Sequence, residues 1–131
     1  MGLDNRWRRS HLPIVYRWNC QSMNRPAELL PGTLDLLVLR TLTRGPNHGY
    51  GIALRVKELS RDVLEVGESS LYPALQRLLL DGYVKAEWGT SANNRRARYY
   101  TLTAGGQKHL AAERKEFERV VVAIRLVLEN A

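Results

Sequence analysis

A helix followed at once by a hairpin, within residues 67–102, constrains the fold of this chain more than any other feature. Leucines at helical spacing in residues 68–80 predict one buried helix face: Leu71, Leu75, Leu78 and Leu79. Two strand-like runs, 83–88 and 95–102, flank the polar tip 89–94 and predict the hairpin. This order is typical of a winged helix–turn–helix. We therefore expect a mainly α fold with a small β-hairpin.

Two further helices are predicted ahead of this segment. The first has Thr33 as its N-cap and ends at Gly45-Pro46, and the second is capped by Asn47. Gly49 and Gly51 in the first turn of the second helix each cost roughly 1 kcal/mol of helix propensity. Such a cost predicts close backbone packing, which we expect to be against the first helix. The apolar face of the second helix comprises Tyr50, Ile52, Ala53, Val56 and Leu59.

The region between the second helix and the leucine-rich helix leaves one alternative open. Residues 62–66 are partly β-branched and are expected to pair with the hairpin as a short third strand. The leucine-rich helix begins either near Gly67 or after a Ser70 cap. Pro73, which lacks an N–H, fits the first turn in the second case and costs one backbone hydrogen bond in the first.

The segment from about residue 103 to residue 129 predicts a long terminal helix. Its heptad-like apolar seam consists of Leu110, Phe117, Val120, Ile124 and Val127. This seam has more apolar surface than a small helical core covers, so we expect a homodimer through this helix. The chain then divides into a basic, poorly ordered extension (1–26), a winged helix–turn–helix domain (27–102) and a C-terminal dimerisation helix (103–131).

The formal net charge of +7 at pH 7 favours polyanionic partners such as nucleic acid or anionic membrane. Five arginines and one aspartate lie in residues 1–25, so this part carries much of the charge. It is either an upstream extension, with Met23 as the functional start, or a basic tryptophan-bearing arm that touches phosphate or a membrane surface. Cys20 is the single cysteine, which fits a cytoplasmic location, and no apolar run is long enough to span a bilayer.

Several motifs together resemble one known family, the PadR-like regulators. The matching segments are 30–39 (LPGTLDLLVL), 45–52 (GPNHGYGI), 70–75 (SLYPAL) with Leu78 and Gly82, and 95–103 (RRARYYTLT) with Gly105. Segment 70–75 is similar to the family's recognition helix, and segment 95–103 is similar to its wing. The resemblance covers about residues 28–115, in the right order and spacing, and leaves residues 1–25 outside.

The resemblance implies a winged-helix domain with a single C-terminal dimerisation helix, as in the short branch of the family, which usually acts as a ligand-responsive repressor. Two departures stand out. The last helix lacks the tryptophan on which some multidrug-binding members stack flat ligands, which speaks against that ligand mode. Leu79-Leu80 replaces a charged pair, so one of these leucines is expected to be exposed or to make an extra contact.

The candidate DNA-contacting residues lie on the leucine-rich helix and on the hairpin. Gln76 can pair with adenine and Arg77 with guanine, each pair giving ~1–3 kcal/mol of discrimination, whereas Tyr72 either faces DNA or leans into the core. The hairpin arginines suit phosphate or minor-groove contact, and Arg98 is expected to pair with Glu87 instead. The full set is Ser69, Ser70, Tyr72, Pro73, Gln76, Arg77, Lys85, Arg95, Arg96 and Arg98.

Nothing in the sequence supports an enzyme. The three histidines have no metal-ligand spacing, no glycine-rich phosphate loop follows a strand, and neither catalytic residues nor a cofactor are expected. The predicted function is sequence-specific binding of double-stranded DNA by a homodimeric repressor. The alternative is a winged-helix module for protein interaction, in which the arginines only solvate the surface. Tyr50 and Phe117 are expected either to line a cleft for a hydrophobic or aromatic effector or to be ordinary core residues.

Overall fold

The computed structural model describes residues 32–131, which form four helices and a three-stranded antiparallel sheet. In chain order the elements are α1 (Thr33–Leu42), β1 (Asn47–His48), α2 (Gly49–Leu59), α3 (Glu68–Leu80), β2 (Val84–Thr90), β3 (Arg96–Leu102) and α4 (Ala104–Asn130). The mainly α fold with a small hairpin, predicted from the sequence, is confirmed. The predictions for the N-terminal extension lie outside the described residues.

The helix caps differ from two sequence predictions. Gly32, with φ 88°, is the N-cap of α1, and Thr33 is already helical. His48 caps α2, since its Nδ1 accepts a hydrogen bond of 3.0 Å from the Gly51 N–H. The predicted Asn47 cap is therefore wrong by one residue. Asn47 instead belongs to β1, where it lies opposite Tyr100.

The sheet has the strand order β1-β3-β2, and β3 pairs with both neighbours. Its third strand is Asn47–His48 and not the predicted segment 62–66. Arg61 and Asp62 adopt positive φ angles of 54° and 66°, so the chain turns there as it leaves α2. This turn, closed by a hydrogen bond from the Asp62 N–H to the Lys57 carbonyl, takes the place of an extended strand.

One apolar core holds the helices against the sheet. α1 lies at its centre and packs against all three other helices. The buried side chains are Leu34, Val38, Leu39 and Leu42 of α1, Ile52 and Val56 of α2, Leu71, Ala74, Leu75 and Leu78 of α3, and Val84, Tyr100 and Leu110. Burial of one such leucine stabilises the folded state by ~1.5–3 kcal/mol. Leu71, Leu75 and Leu78, which helical spacing predicted on the buried face of α3, belong to this core.

α3 begins directly after Gly67, which settles the alternative left open by the sequence. Gly67 is the N-cap and Glu68 the first helical residue, so Pro73 lies beyond the first turn. The Ser69 carbonyl therefore has no N–H partner one turn on. Because that side of α3 is exposed, water can satisfy this carbonyl. At the other end, Gly82 adopts φ 79°, as expected for a helix stop.

The start of α4 is fixed by several short contacts to the turn that leads from α3 into β2. Thr103 caps the helix by accepting a 3.0 Å hydrogen bond from the Gly106 N–H, and its hydroxyl donates a 2.7 Å bond to the Gly82 carbonyl. The His109 ring stacks on Tyr83 with 4.0 Å between centroids. These contacts set the direction in which α4 leaves the domain.

Leu110 is the last fully buried residue of α4. It joins the core of its own chain, so little of this side chain is left for a partner helix, and its place in a dimer interface stays a prediction. Beyond it, the apolar residues of α4 are largely exposed. None of the helices within residues 32–131 is long and apolar enough to cross a membrane.

Candidate nucleic-acid interface

The exposed face of α3 lies opposite its buried leucines. Helical spacing puts Ser69, Pro73 and Gln76 along the middle of this face, and all three are exposed. Tyr72 lies on one flank, and Arg77, with Ser70, on the other. The face is polar in its first turns and ends at the exposed Leu80. Leu79, by contrast, packs against the core, so only one of the two unusual leucines is fully exposed.

Tyr72 marks the flank that faces α2 and the hairpin. Its side chain is 50% exposed, and a Cβ placed on Gly49 would lie 3.1 Å from its ring. A Cβ at Gly49 would thus press on the Tyr72 ring, and one at Gly51 would overlap the Asn47 side chain. The glycines do pack closely, as predicted, but against these two side chains and not against α1.

Arg77 marks the opposite flank. Its Nη2 donates a 2.9 Å hydrogen bond to Oδ1 of Asp35, so an ion pair links α3 to α1. Both side chains remain partly exposed. The predicted guanine reader is therefore held along the edge of the α3 face, whereas Gln76 points out of its middle.

The hairpin presents two arginines on one side of the sheet. In the register of β2 and β3, Arg98 lies opposite Trp88 and Arg96 opposite Thr90. The guanidinium of Arg96 stacks over the Trp88 ring at 4.6 Å, and that of Arg98 lies 5.9 Å from the Tyr100 ring. The predicted pair of Arg98 with Glu87 is wrong, because Glu87 lies opposite Tyr99, on the other face of the sheet.

Lys85 and Arg95, the other predicted basic contacts, lie apart from these two arginines. Lys85 is exposed opposite Thr101, on the sheet face that does not carry Arg96. Arg95 belongs to the hairpin tip, where its backbone N–H and carbonyl both bond to Ser91. The tip turn is completed by Asn94, with φ 62°.

A cleft of about 440 Å³ lies between the arginine-bearing side of the hairpin and the first turns of α2 and α3. Its principal side chains are His48, Tyr50, Tyr72, Trp88, Arg96 and Arg98. It thus joins the Tyr72 flank of α3 to the arginine-bearing side of the wing. Aromatic and cationic groups dominate its lining, and no carboxylate belongs to it, so its chemistry suits an anion with apolar parts.

Three residues of this cleft were not singled out as DNA contacts from the sequence: His48, Tyr50 and Trp88. The sequence signal for the first two is their place at the start of a helix, where exposed backbone N–H groups favour anions. Tyr50 was expected on the apolar face of α2, yet its side chain is 74% exposed. Strand alternation turns Tyr99 and Tyr100 to opposite faces of the sheet, and Tyr100 is the buried one.

Tyr50 also borders a second cleft, of about 360 Å³, between α2 and the start of α3. Leu54, Val66, Leu71 and Tyr72 provide its apolar surface, and Lys57, Glu65 and Glu68 lie around it. Phe117 does not border this cleft. This cleft therefore does not bring Tyr50 and Phe117 together, and an effector site formed by both residues stays a prediction.

Among residues 32–131, no group of His, Cys, Asp and Glu side chains is arranged to hold a metal ion. In this same part of the chain, the pKa values that depart clearly from normal belong to a solvated pair on α4. Hydrogen bonds from Arg119, and then its charge, lower the pKa of Glu116. This is the pattern of an ordinary i,i+3 surface pair, which does not indicate catalysis.

Comparison with known families agrees with this arrangement. A model of the PadR-like family of transcriptional regulators matches residues 38–112, which include the recognition-helix candidate α3 and the whole hairpin. The chain belongs to the PadR-like family of transcriptional regulators. The resemblance predicted from sequence motifs is therefore confirmed, and membership in this family supports DNA-binding regulation of transcription.

Solved structures of PadR-like proteins and other regulators share the fold. A transcriptional regulator from Clostridium thermocellum is 29% identical, with a TM-score of 0.66 over 72% of this chain and 91% of that one. A PadR family transcription regulator from Clostridium difficile is 26% identical, with a TM-score of 0.64 over 74% and 99% of the two chains. An uncharacterised protein of Lysinibacillus sphaericus is 26% identical over 79% of this chain and 95% of its own length.

Proposed function

We propose that this PadR-like protein is a homodimeric repressor that binds specific double-stranded DNA. The observation that carries the proposal is the juxtaposition of the Tyr72 flank of the exposed α3 face with Arg96 and Arg98 across one cleft. In helix–turn–helix proteins the second helix of the motif, which here is α3, enters the major groove with its N-terminal residues at the base edges. The hairpin then lies over the adjacent backbone, where its guanidinium groups meet phosphate.

The two parts of this surface have different tasks in the proposal. Ser69 and Ser70, in the first turn of α3, and Gln76, in the middle of its exposed face, read base edges. Arg96 and Arg98 supply attraction to phosphate that is independent of sequence and falls with salt. Arg77 assists base reading only in so far as its pair with Asp35 opens, and Lys85 and Arg95 contribute charge outside the cleft.

The apolar side chains on the second half of α4 support dimerisation through this helix, because the core of the chain leaves them exposed. Phe117, Val120, Ile124 and Val127 follow one stripe of the helix and are all exposed. A stripe of this kind, left open to water, is typical of a protein–protein interface. Two copies paired along it present two α3 helices, which suit half-sites about one DNA turn, ~34 Å, apart.

Repression follows from occupancy of the operator, and an effector relieves it by favouring the DNA-free state. The proposed effector site is the cleft of Tyr50, Leu54 and Val66, without Phe117. A hydrophobic or aromatic ligand there also touches Tyr72. The same side chain borders the cleft that contains Arg96 and Arg98, which we call the DNA-facing cleft. Binding of ligand and of DNA is thereby coupled through one side chain.

The decisive experiment is a titration of labelled duplex DNA with the full chain over a range of salt concentrations. Contact of several arginines with phosphates predicts a log–log slope of about −0.9 for each phosphate neutralised. Footprinting on genomic fragments then locates the operator. The alternative function, a protein-interaction module with solvating arginines, predicts weak DNA retention and protection of no site.

A further inference from the structure

Trp88 is a large apolar side chain placed in the middle of a cationic hairpin. It remains 61% exposed although one face of its ring carries the Arg96 guanidinium, 4.6 Å from the centroid. Burial in the core therefore does not explain this residue. The arginine stacked on its ring borders the 440 Å³ cleft between the hairpin and the helices.

The register of the hairpin explains how the two side chains meet. Trp88 lies opposite Arg98, and Arg96 lies two residues further along the same face of β3, opposite Thr90. Diagonal neighbours on one sheet face are within reach of long and aromatic side chains. The flat guanidinium can therefore lie on the indole while its N–H groups stay free at the edges.

We propose that Trp88 is a positioning residue, whose indole holds the Arg96 guanidinium within the cleft at the place where a DNA phosphate enters. A free arginine side chain samples many rotamers and loses that freedom when it meets a phosphate. Stacking on Trp88 restricts the side chain beforehand, so less freedom is lost on binding. Arg98 lies farther from its own aromatic neighbour, Tyr100, and is held less firmly.

This inference rests on the proposed DNA binding for its purpose, but its geometry can be tested without DNA. In a Trp7→Phe, Trp18→Phe background, Trp88 is the one remaining tryptophan of the chain. Arg96→Ala should uncover the ring and increase quenching of its fluorescence by acrylamide. Arg95→Ala, a matched change next to it at the tip, should leave quenching as it was. Equal quenching in all three proteins would overturn the stack.

The functional part is tested by a double-mutant cycle on a labelled mixed-sequence duplex, with the full chain. Trp88→Ala should weaken binding about two- to fivefold, the change expected for an exposed cation–π contact. In an Arg96→Ala background the same change should have no further effect, whereas with Arg95→Ala the losses should multiply. Trp88→Phe, which keeps an aromatic face, should retain most of the affinity.

Three outcomes separate the possible failures. An equal loss from Trp88→Ala in both the parent and the Arg96→Ala background would overturn the positioning role and leave DNA binding intact. A Trp88→Phe protein as weak as Trp88→Ala would do the same. If the parent protein binds no duplex although the quenching result holds, the proposed function fails and the stack must serve another anionic ligand, which overturns the inference as stated.

Discussion

The Arg77 guanidinium on α3 lies 2.9 Å from the Asp35 carboxylate on α1, at the edge of the exposed α3 face. Partly exposed pairs of this kind contribute ~0.2–1 kcal/mol. We expect Asp35→Ala and Arg77→Ala to show a coupling within that range in a double-mutant cycle of urea unfolding. A coupling of several kcal/mol would mean that the pair is a main support of α3.

The ion pair also changes what is expected of base recognition. Gln76→Ala should reduce the ratio of operator to random DNA affinity by ~1–3 kcal/mol, as for loss of one good base contact. Arg77→Ala should cost less discrimination, because the guanidinium is held towards α1. Competition binding with both DNAs measures this directly. A larger loss of specificity from Arg77→Ala than from Gln76→Ala would restore Arg77 as the principal reader.

Arg96→Ala serves as the contrasting change, since Arg96 belongs to the wing. It should weaken operator and random DNA about equally and flatten the slope of log affinity against log salt by roughly one unit. Titrations at four or more salt concentrations give this slope. If the change mainly removes specificity, the wing reads sequence and the division of tasks is incorrect.

The sequence predicted this interface only in part, and Leu71, Asp35 and Trp88 illustrate why. Leucines at helical spacing show which face of α3 is buried. The burial of Leu71, and the exposure of the residues on the opposite face, could therefore be predicted from the local pattern. The partner of Arg77, Asp35, is 42 positions away, beyond any local pattern. The role of Trp88 depends on the register of the hairpin, because a shift of one residue would turn its side chain to the other face of the sheet.

Two of the corrections originate in tertiary contacts. Asn47 is a good cap residue by type, yet His48 caps α2, because Asn47 pairs with Tyr100 in the sheet. Leu110 follows the same heptad as Phe117 but lies where α4 still packs on α1. Periodicity identifies an apolar stripe, but it does not say where the core ends and a partner begins.

Two neighbouring glycines in α4 should respond oppositely to alanine. A Cβ at Gly106 would overlap the Tyr83 carbonyl and contact Leu102, so Gly106→Ala should destabilise the fold by ~1–3 kcal/mol. At Gly105 the nearest atoms are 3.7 Å away, so alanine should be neutral or stabilise by up to about 1 kcal/mol. Thermal unfolding of both variants checks this. Equal stability would show that the Tyr83 backbone can move.

The proposed dimer is tested by placing a charge on either side of α4. Phe117 lies on the predicted stripe and is 43% exposed, whereas Val122 lies on the opposite side and is 57% exposed. Phe117→Asp would bury a charge in the interface and should dissociate the dimer. Val122→Asp, the matched control, should not. Sedimentation gives both masses, and dissociation by Val122→Asp alone would move the interface to the other side of the helix.

An effector in the cleft between α2 and α3 should obey reciprocal coupling with DNA. Whatever factor it removes from operator affinity must be the factor by which it prefers the DNA-free dimer. Calorimetric screening of hydrophobic and aromatic compounds, with and without operator, measures that factor.

The location of the effector is tested by filling the cleft. Leu54→Trp should fill it and abolish binding of the effector, whereas Leu59→Trp, an exposed change on α2 that does not border the cleft, should not. A compound that binds equally well with and without operator is no effector, and one that binds Leu54→Trp as well as the parent occupies another site.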